Sequence, residues 1–180
     1  FCEKPFLGNG WKTMVANSNQ NIPLSFIDMI VRSQWIAYGV IHSSQGEDGE
    51  AGYRLEVSQS MYGDVAARAS VSVEPGCLNR TVRFSFRSQR EVVVFSLGGG
   101  SAVMGDDLVL PVVHDPINDE RYIKIPAEFV KKTKLRESIS QRFSVRSNVE
   151  ESNPEPAFGS QFVLFEEFKT NLGDLCRDLK

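Results

Sequence analysis

Alternating hydrophobic and polar residues between 82 and 97 predict the centre of a β-sheet. Val82, Phe84 and Phe86 alternate with polar residues, which is the period of a strand with one buried and one solvated face. After a short polar break, Val92 to Phe95 is apolar at every position, as is typical of a strand covered on both sides. We therefore predict a β-hairpin in the middle of a sheet.

Further strands are predicted on both sides of this hairpin. Alternating or β-branched segments lie at 35–42, 53–59, 66–74, 108–113, 122–125 and 143–145. Pro111 lacks the amide donor that an internal strand uses, so the 108–113 strand is predicted at an edge or beside a bulge.

Helical spacing is clearest at the end of the chain. Apolar residues recur there at intervals of three and four, which predicts a helix over 160–179. A short helix is expected near 126–139, and for 23–33 a helix is preferred with a buried strand as the alternative. The predicted fold class is mainly β (α+β): an antiparallel sheet or sandwich, with the short helix and the C-terminal helix packed on it.

Composition favours one globular domain over 1–180, because 41% of the 180 residues are hydrophobic and 24% are charged. An irregular N-terminal segment is expected over 1–22 and a mobile loop over 148–157. The net charge is −3, with acids and bases interspersed, which argues against nucleic acid as a partner. No run is long and apolar enough for a membrane span. The glycines at 98–100 lack the lysine of a phosphate-binding loop, and no cofactor is predicted.

The three cysteines lie far apart, which argues against a zinc site or any other metal centre built on them. A disulfide between Cys2 and Cys176 would join the two ends of the chain in an oxidising compartment, and three thiols in a reducing cytosol are the alternative. The chain begins with Phe1 rather than Met, so it is expected to be either a processed mature protein or a trimmed piece of a longer chain. Together these features favour a periplasmic or secreted protein, with a cytoplasmic one as the alternative.

The adjacent residues His114 and Asp115 are the best catalytic candidates in the sequence. With a serine brought in by the fold they could form half of a Ser-His-Asp arrangement, although no nucleophile motif accompanies any serine. The competing interpretation is an acidic turn at the end of a strand.

Four arginines cluster around the predicted hairpin. They are Arg80, Arg83, Arg87 and Arg90. Charges on a strand face commonly pair with nearby acids. If they are instead open to solvent, this face is the candidate surface for an acidic partner.

The order of elements in the second half resembles that of the invasion-associated locus B family of periplasmic proteins. The motif that carries the resemblance is Leu164-Phe165-Glu166-Glu167-Phe168, at the closing helix. The chain lacks the cysteine pairs of that family, so no site residue is transferred from it.

The absence of a catalytic motif favours a small soluble extracytoplasmic protein that binds another protein through its surface. An inhibitor or a toxin-neutralising protein is one version of this hypothesis, because such proteins need only a shaped surface. The alternative is a hydrolase that uses His114 and Asp115.

Overall fold

The computed structural model of the protein describes residues 26–45, 51–73, 90–98, 102–103, 107–126, 143–151 and 159–179. Within these ranges the chain forms a nine-stranded sheet and two α-helices. The strands are β1 (Trp35–Gln45), β2 (Ala51–Tyr62), β3 (Ser70–Val73), β4 (Arg90–Ser96), β5 (Ala102–Val103), β6 (Leu108–Asp115), β7 (Glu120–Ile125), β8 (Val145–Arg146) and β9 (Gln161–Leu164). The helices are α1 (Phe26–Arg32) and α2 (Phe165–Leu179). The predicted fold class, mainly β (α+β), is confirmed. Of the two predicted arrangements, the structure has the sheet with helices packed on it rather than the sandwich.

The strands lie across the sheet in the order β5-β3-β2-β1-β4-β6-β7-β9-β8. Neighbouring strands are antiparallel, except that β3 and β5 run parallel. The first two strands, β1 and β2, form an antiparallel pair. Gly39 lies at an irregularity of this pair, and a Cβ atom there would come within 2.2 Å of the carbonyl oxygen of Glu56. The close approach of β1 and β2 therefore requires a glycine at this position.

The strand β4 lies at the centre of the sheet, as its continuous apolar run predicts. Val92 to Phe95 is fully buried on both faces, with 0% exposure at each residue. The predicted hairpin needs a correction, because both edges of this run are already paired, with β1 on one side and β6 on the other. The neighbours of β4 therefore come from elsewhere in the chain, and 82–89 lie outside the described residues.

Of the two predictions for Pro111, an edge strand or a bulge, the edge strand is wrong, since β6 lies between β4 and β7. Pro111 is the last residue of β6 that pairs with β4, opposite Val92. The pairing with β7 begins one residue later, at Val112 opposite Ile123. Pro111 thus lies where the pairing of β6 with β4 ends and its pairing with β7 begins. A missing amide donor at this point interrupts neither of the two sets of backbone hydrogen bonds.

The two helices follow the predicted apolar spacing with one difference in their bounds. The described part of the 23–33 segment is helical, which decides against the buried strand. The C-terminal helix begins at Phe165 rather than at 160, because Gln161 to Leu164 forms the strand β9 between β7 and β8. The short helix expected near 126–139 falls almost entirely outside the described residues.

Each face of the sheet carries a buried apolar cluster. On one face the helices cover the largest apolar cluster, in which Phe168 of α2 meets the rings of Phe26, Phe95 and Phe143 at centroid distances of 5.4 to 6.1 Å. The opposite face of the first strands carries a second cluster centred on Trp35 and valine side chains. The assignment of 1–180 to one domain, the irregular segment over 1–22 and the mobility of 148–157 stay predictions, since 1–25 and 152–158 lie outside the described residues.

Candidate functional site

The turn between β6 and β7 is held by the carboxylate of Asp115. One oxygen accepts hydrogen bonds from the backbone amides of Ile117 and Asn118, at 2.9 and 3.3 Å. The other accepts a hydrogen bond of 2.8 Å from the side-chain amide of Asn118. This amide and the backbone donors hold the pKa of the Asp115 carboxyl below its ordinary value. Asp115 is thus a turn-forming residue, with both oxygens engaged.

The structure does not bring His114 and Asp115 together. They are neighbours on one strand, so their side chains point to opposite faces, His114 outward and Asp115 inward. The carboxylate that contacts His114 is that of Asp119, whose Oδ1 lies 2.9 Å from the ring Nε2. Among the described residues no serine hydroxyl is hydrogen-bonded to His114. The catalytic role of this histidine stays a prediction.

The apex of the same turn carries an exposed apolar side chain. Ile117 is 69% exposed, and it is the one large hydrophobic residue that is exposed in the described part of the chain. Asp119, beside it, has a side chain that is 93% exposed and a backbone φ of 54°. Aspartate tolerates this left-handed conformation better than most residues. We name residues 114–119 the β6–β7 turn; it presents an apolar tip beside a negative charge.

A second polar group, the Arg121 cluster, joins the sheet to α2. Its members are Tyr38, Glu91, Arg121, Phe165, Glu166 and Lys169. The guanidinium of Arg121 donates to the Tyr38 hydroxyl at 3.1 Å and to Glu166 at 2.6 Å. Its Cζ atom also lies 4.5 Å from the centre of the Phe165 ring. These contacts tie β1 and β7 to the first turn of α2.

The charges of the Arg121 cluster neutralise one another. Glu166 pairs with Lys169 as well as with Arg121. The hydrogen bonds from these two cations hold the pKa of Glu166 below its ordinary value. The Tyr38 hydroxyl donates to Glu91, and its burial together with this bond raises the pKa of Tyr38 to about 12. A phenol with so high a pKa is neutral near pH 7 and cannot act as a base there. The contacts of the cluster hold β1 and β7 against α2.

A third polar group lies under the loop that follows β8. Lys124 of β7 has a side chain only 2% exposed, and its Nζ atom lies 2.7 Å from Oε1 of Glu151, which is 6% exposed. The same ammonium lies 5.8 Å from the centre of the Phe162 ring on β9. The strand pattern alone does not reveal this buried pair, because Glu151 comes from a loop.

The remaining predicted site residues lie at the margin of the described structure or beyond it. Arg80, Arg83 and Arg87 are outside the described residues, and Arg90 begins β4 in a half-buried position opposite Ile41. The arginine surface stays a prediction.

The predicted disulfide is also untested, because Cys2 is outside the described residues. Cys176 is buried on α2 within the core, at 3% exposure.

The described residues contain no candidate metal centre and no membrane-spanning helix, and the comparisons with known proteins find no match for the chain. Within the described ranges no three metal-ligating side chains gather into a group. No described helix combines the length and the apolarity that a membrane crossing demands. No family model matches the chain, and neither the curated proteins nor the solved structures contain a match. The resemblance of the second half to the invasion-associated locus B family gains no support from these comparisons.

Proposed function

We propose that the protein is a binding protein rather than an enzyme, and that it acts by contact with another protein through the β6–β7 turn. The observation that carries this proposal is an isoleucine, 69% exposed, at the apex of a turn that is already fixed. A rigid protruding turn loses little conformational freedom when it enters the pocket of a partner, so more of the contact energy appears as affinity. An inhibitor or a toxin-neutralising protein fits this description.

The chemistry of the turn defines the partner surface that it suits. Ile117 fits an apolar pocket, and the neighbouring Asp119 carboxylate favours lysine or arginine at the rim of that pocket. Asp115 lies beneath and acts through the turn conformation. We therefore assign Ile117 as the anchor, Asp119 as a rim charge and Asp115 as a positioning residue.

The test is a quantitative capture experiment with three forms of the immobilised protein. Wild type, Ile117→Asp and Gln59→Asp are exposed to an extract of the source cells, and bound proteins are compared by mass spectrometry. Gln59 is an exposed position of β2, so its substitution adds the same charge away from the turn. We expect one protein to be retained by wild type and Gln59→Asp and lost with Ile117→Asp. Identical retention by all three forms would contradict the proposal.

A hydrolase remains the second candidate because His114 and Asp119 form a base and a carboxylate at 2.9 Å. Such a pair can orient an imidazole as a general base if a serine lies within hydrogen-bond reach. Labelling by a fluorophosphonate that His114→Ala abolishes would support this candidate. Absence of labelling in the folded wild-type protein would exclude a serine hydrolase of this type.

We also propose that the protein works outside the cytoplasm, with Cys2 and Cys176 joined. The proposal is supported by the three widely spaced cysteines of the sequence. Intact mass of the protein from its source, before and after reduction, decides it. A gain of two hydrogens on reduction would support a disulfide, whereas three thiols that can all be alkylated without reductant would contradict it.

A further inference from the structure

A small apolar surface lies apart from the two main cores of the protein. Val113, Tyr122 and Phe162 form this third cluster on β6, β7 and β9, and each is at most 6% exposed. Part of its cover comes from Val149, in the loop after β8. The loop therefore lies on a surface that is apolar enough to hold a ligand if the loop is displaced.

A cation is placed at the margin of this surface. Lys124 lies two residues after Tyr122 on β7 and directly opposite Phe162 on β9, so the three side chains share one face of the sheet. Its ammonium lies 2.7 Å from Glu151 and 5.8 Å from the Phe162 ring. A buried cation beside an aromatic floor is the arrangement that recognises an anion attached to an apolar body.

The loop over 147–151, which we call the strap, is attached mainly by side chains. Val149 and Glu151 point inward and alternate with the exposed Asn148 and Glu150. No loop-type backbone hydrogen bond joins the strap to another part of the described chain. Segments with few backbone bonds are the ones that open locally at a cost below that of global unfolding.

The carboxylate of the strap is incompletely satisfied. Oε2 of Glu151 is buried and has no hydrogen-bond partner within the described structure. A buried carboxylate oxygen without a donor loses its hydration and gains nothing in return. The Lys124–Glu151 contact thus holds the strap with a carboxylate that is only half satisfied.

We propose that the strap covers a binding site for a small amphiphilic organic anion, a carboxylate or sulfonate on an aromatic or aliphatic body. The carboxylate of Glu151 occupies the place on Lys124 that the anionic group of the ligand takes. Binding displaces the strap, and the apolar body of the ligand then lies on Tyr122 and Phe162 where Val149 lay. This site is separate from the β6–β7 turn and does not depend on the function proposed for it.

Fluorescence titration with anilinonaphthalene sulfonate, an aromatic anion, tests the proposal on wild type, Glu151→Gln and Glu150→Gln. Removing one partner of a buried ion pair disfavours the closed arrangement, so Glu151→Gln should bind the sulfonate at least about tenfold more tightly than wild type. Glu150→Gln changes an exposed neighbour and should bind as wild type does. The uncharged phenylnaphthylamine should gain much less than the sulfonate from Glu151→Gln, because it cannot use Lys124.

Three results would overturn the proposal. They are unchanged binding in Glu151→Gln, an equal gain for both dyes, and a gain for the sulfonate that persists when Lys124→Met is added to Glu151→Gln. A measurement on the wild-type protein removes any dependence on the folding of the variants. In a nuclear magnetic resonance titration with the sulfonate, the largest shifts should fall on 122–124, 149–151 and 162, and shifts confined to other regions would contradict the site.

Discussion

The buried ion pair between Lys124 and Glu151 gives the sharpest energetic prediction. At 2.7 Å the two charges attract each other with about 6 kcal/mol, taking an effective dielectric constant of about 20. Much of this attraction is offset by the hydration that both groups lose, since their side chains are 2% and 6% exposed. The net contribution of the pair is therefore small, although each charge depends strongly on the other.

A double-mutant cycle separates these effects. Lys124→Met or Glu151→Met alone removes one charge of the pair while the other stays buried, and each should lower the free energy of unfolding by about 3 to 5 kcal/mol. The double variant replaces the pair with two apolar side chains of similar length, and it should lie within about 1 kcal/mol of wild type. Urea denaturation followed by circular dichroism measures all four proteins.

An exposed ion pair in the same chain provides the control. Arg177 and Asp174 lie 3.1 Å apart on α2, with side chains that are 77% and 68% exposed. Removing this contact with Asp174→Asn should cost at most about 0.5 kcal/mol, because water screens both charges. Equal costs for the two pairs, or additive effects of the two methionine substitutions, would refute the reasoning about burial.

Two further predictions follow from the structure. The first concerns glycines in the sheet and in α2, and the second concerns how stability depends on pH. Gly39→Ala should destabilise the protein by about 3 kcal/mol, because the new Cβ atom would meet the Glu56 carbonyl oxygen at 2.2 Å. Gly173→Ala should stabilise the protein by about 0.5 to 1 kcal/mol, because the space around this position on α2 is open and alanine favours the helix. Urea denaturation measures both changes. The pKa of Tyr38, raised to about 12 by burial and the Glu91 bond, means that the fold favours the neutral phenol. Its contribution to stability is therefore complete below about pH 10, where the unfolded tyrosine titrates, and is lost as the pH rises through 12. Tyr38→Phe should reduce the loss of stability over this interval, and an unchanged loss would contradict the assignment.

Local pattern predicts the strands well because burial on a sheet follows the strand period. The run from Val92 to Phe95 indicates a central strand, and β4 is central. The pattern does not choose the neighbours of a strand, which is why the hairpin assumption failed for β4. The observed start of α2 at Phe165 differs from the predicted start at 160 for a related reason. Phe162 fits both the helical and the strand periods, and pairing with β7 and β8 selects the strand.

Polar sites are harder to predict because their members are distant in sequence. Tyr38 and Arg121 are 83 positions apart and meet because β1 and β7 both carry side chains beneath α2. No local motif marks such a pair. The separation of His114 from Asp115 has another cause: β6 continues to Asp115, two residues beyond the predicted strand over 108–113, and adjacent strand residues face opposite sides.

The central claim, that the β6–β7 turn is the contact surface for a partner protein, is tested most directly by the affinity of purified Ile117→Ala for the captured protein. Full burial of an isoleucine contributes about 1.5 to 3 kcal/mol. Because 69% of Ile117 remains to be buried, the truncation should weaken binding by about 5- to 30-fold, with little change in the stability of the free protein. An unchanged dissociation constant, measured by calorimetry on the folded variant, would contradict the claim.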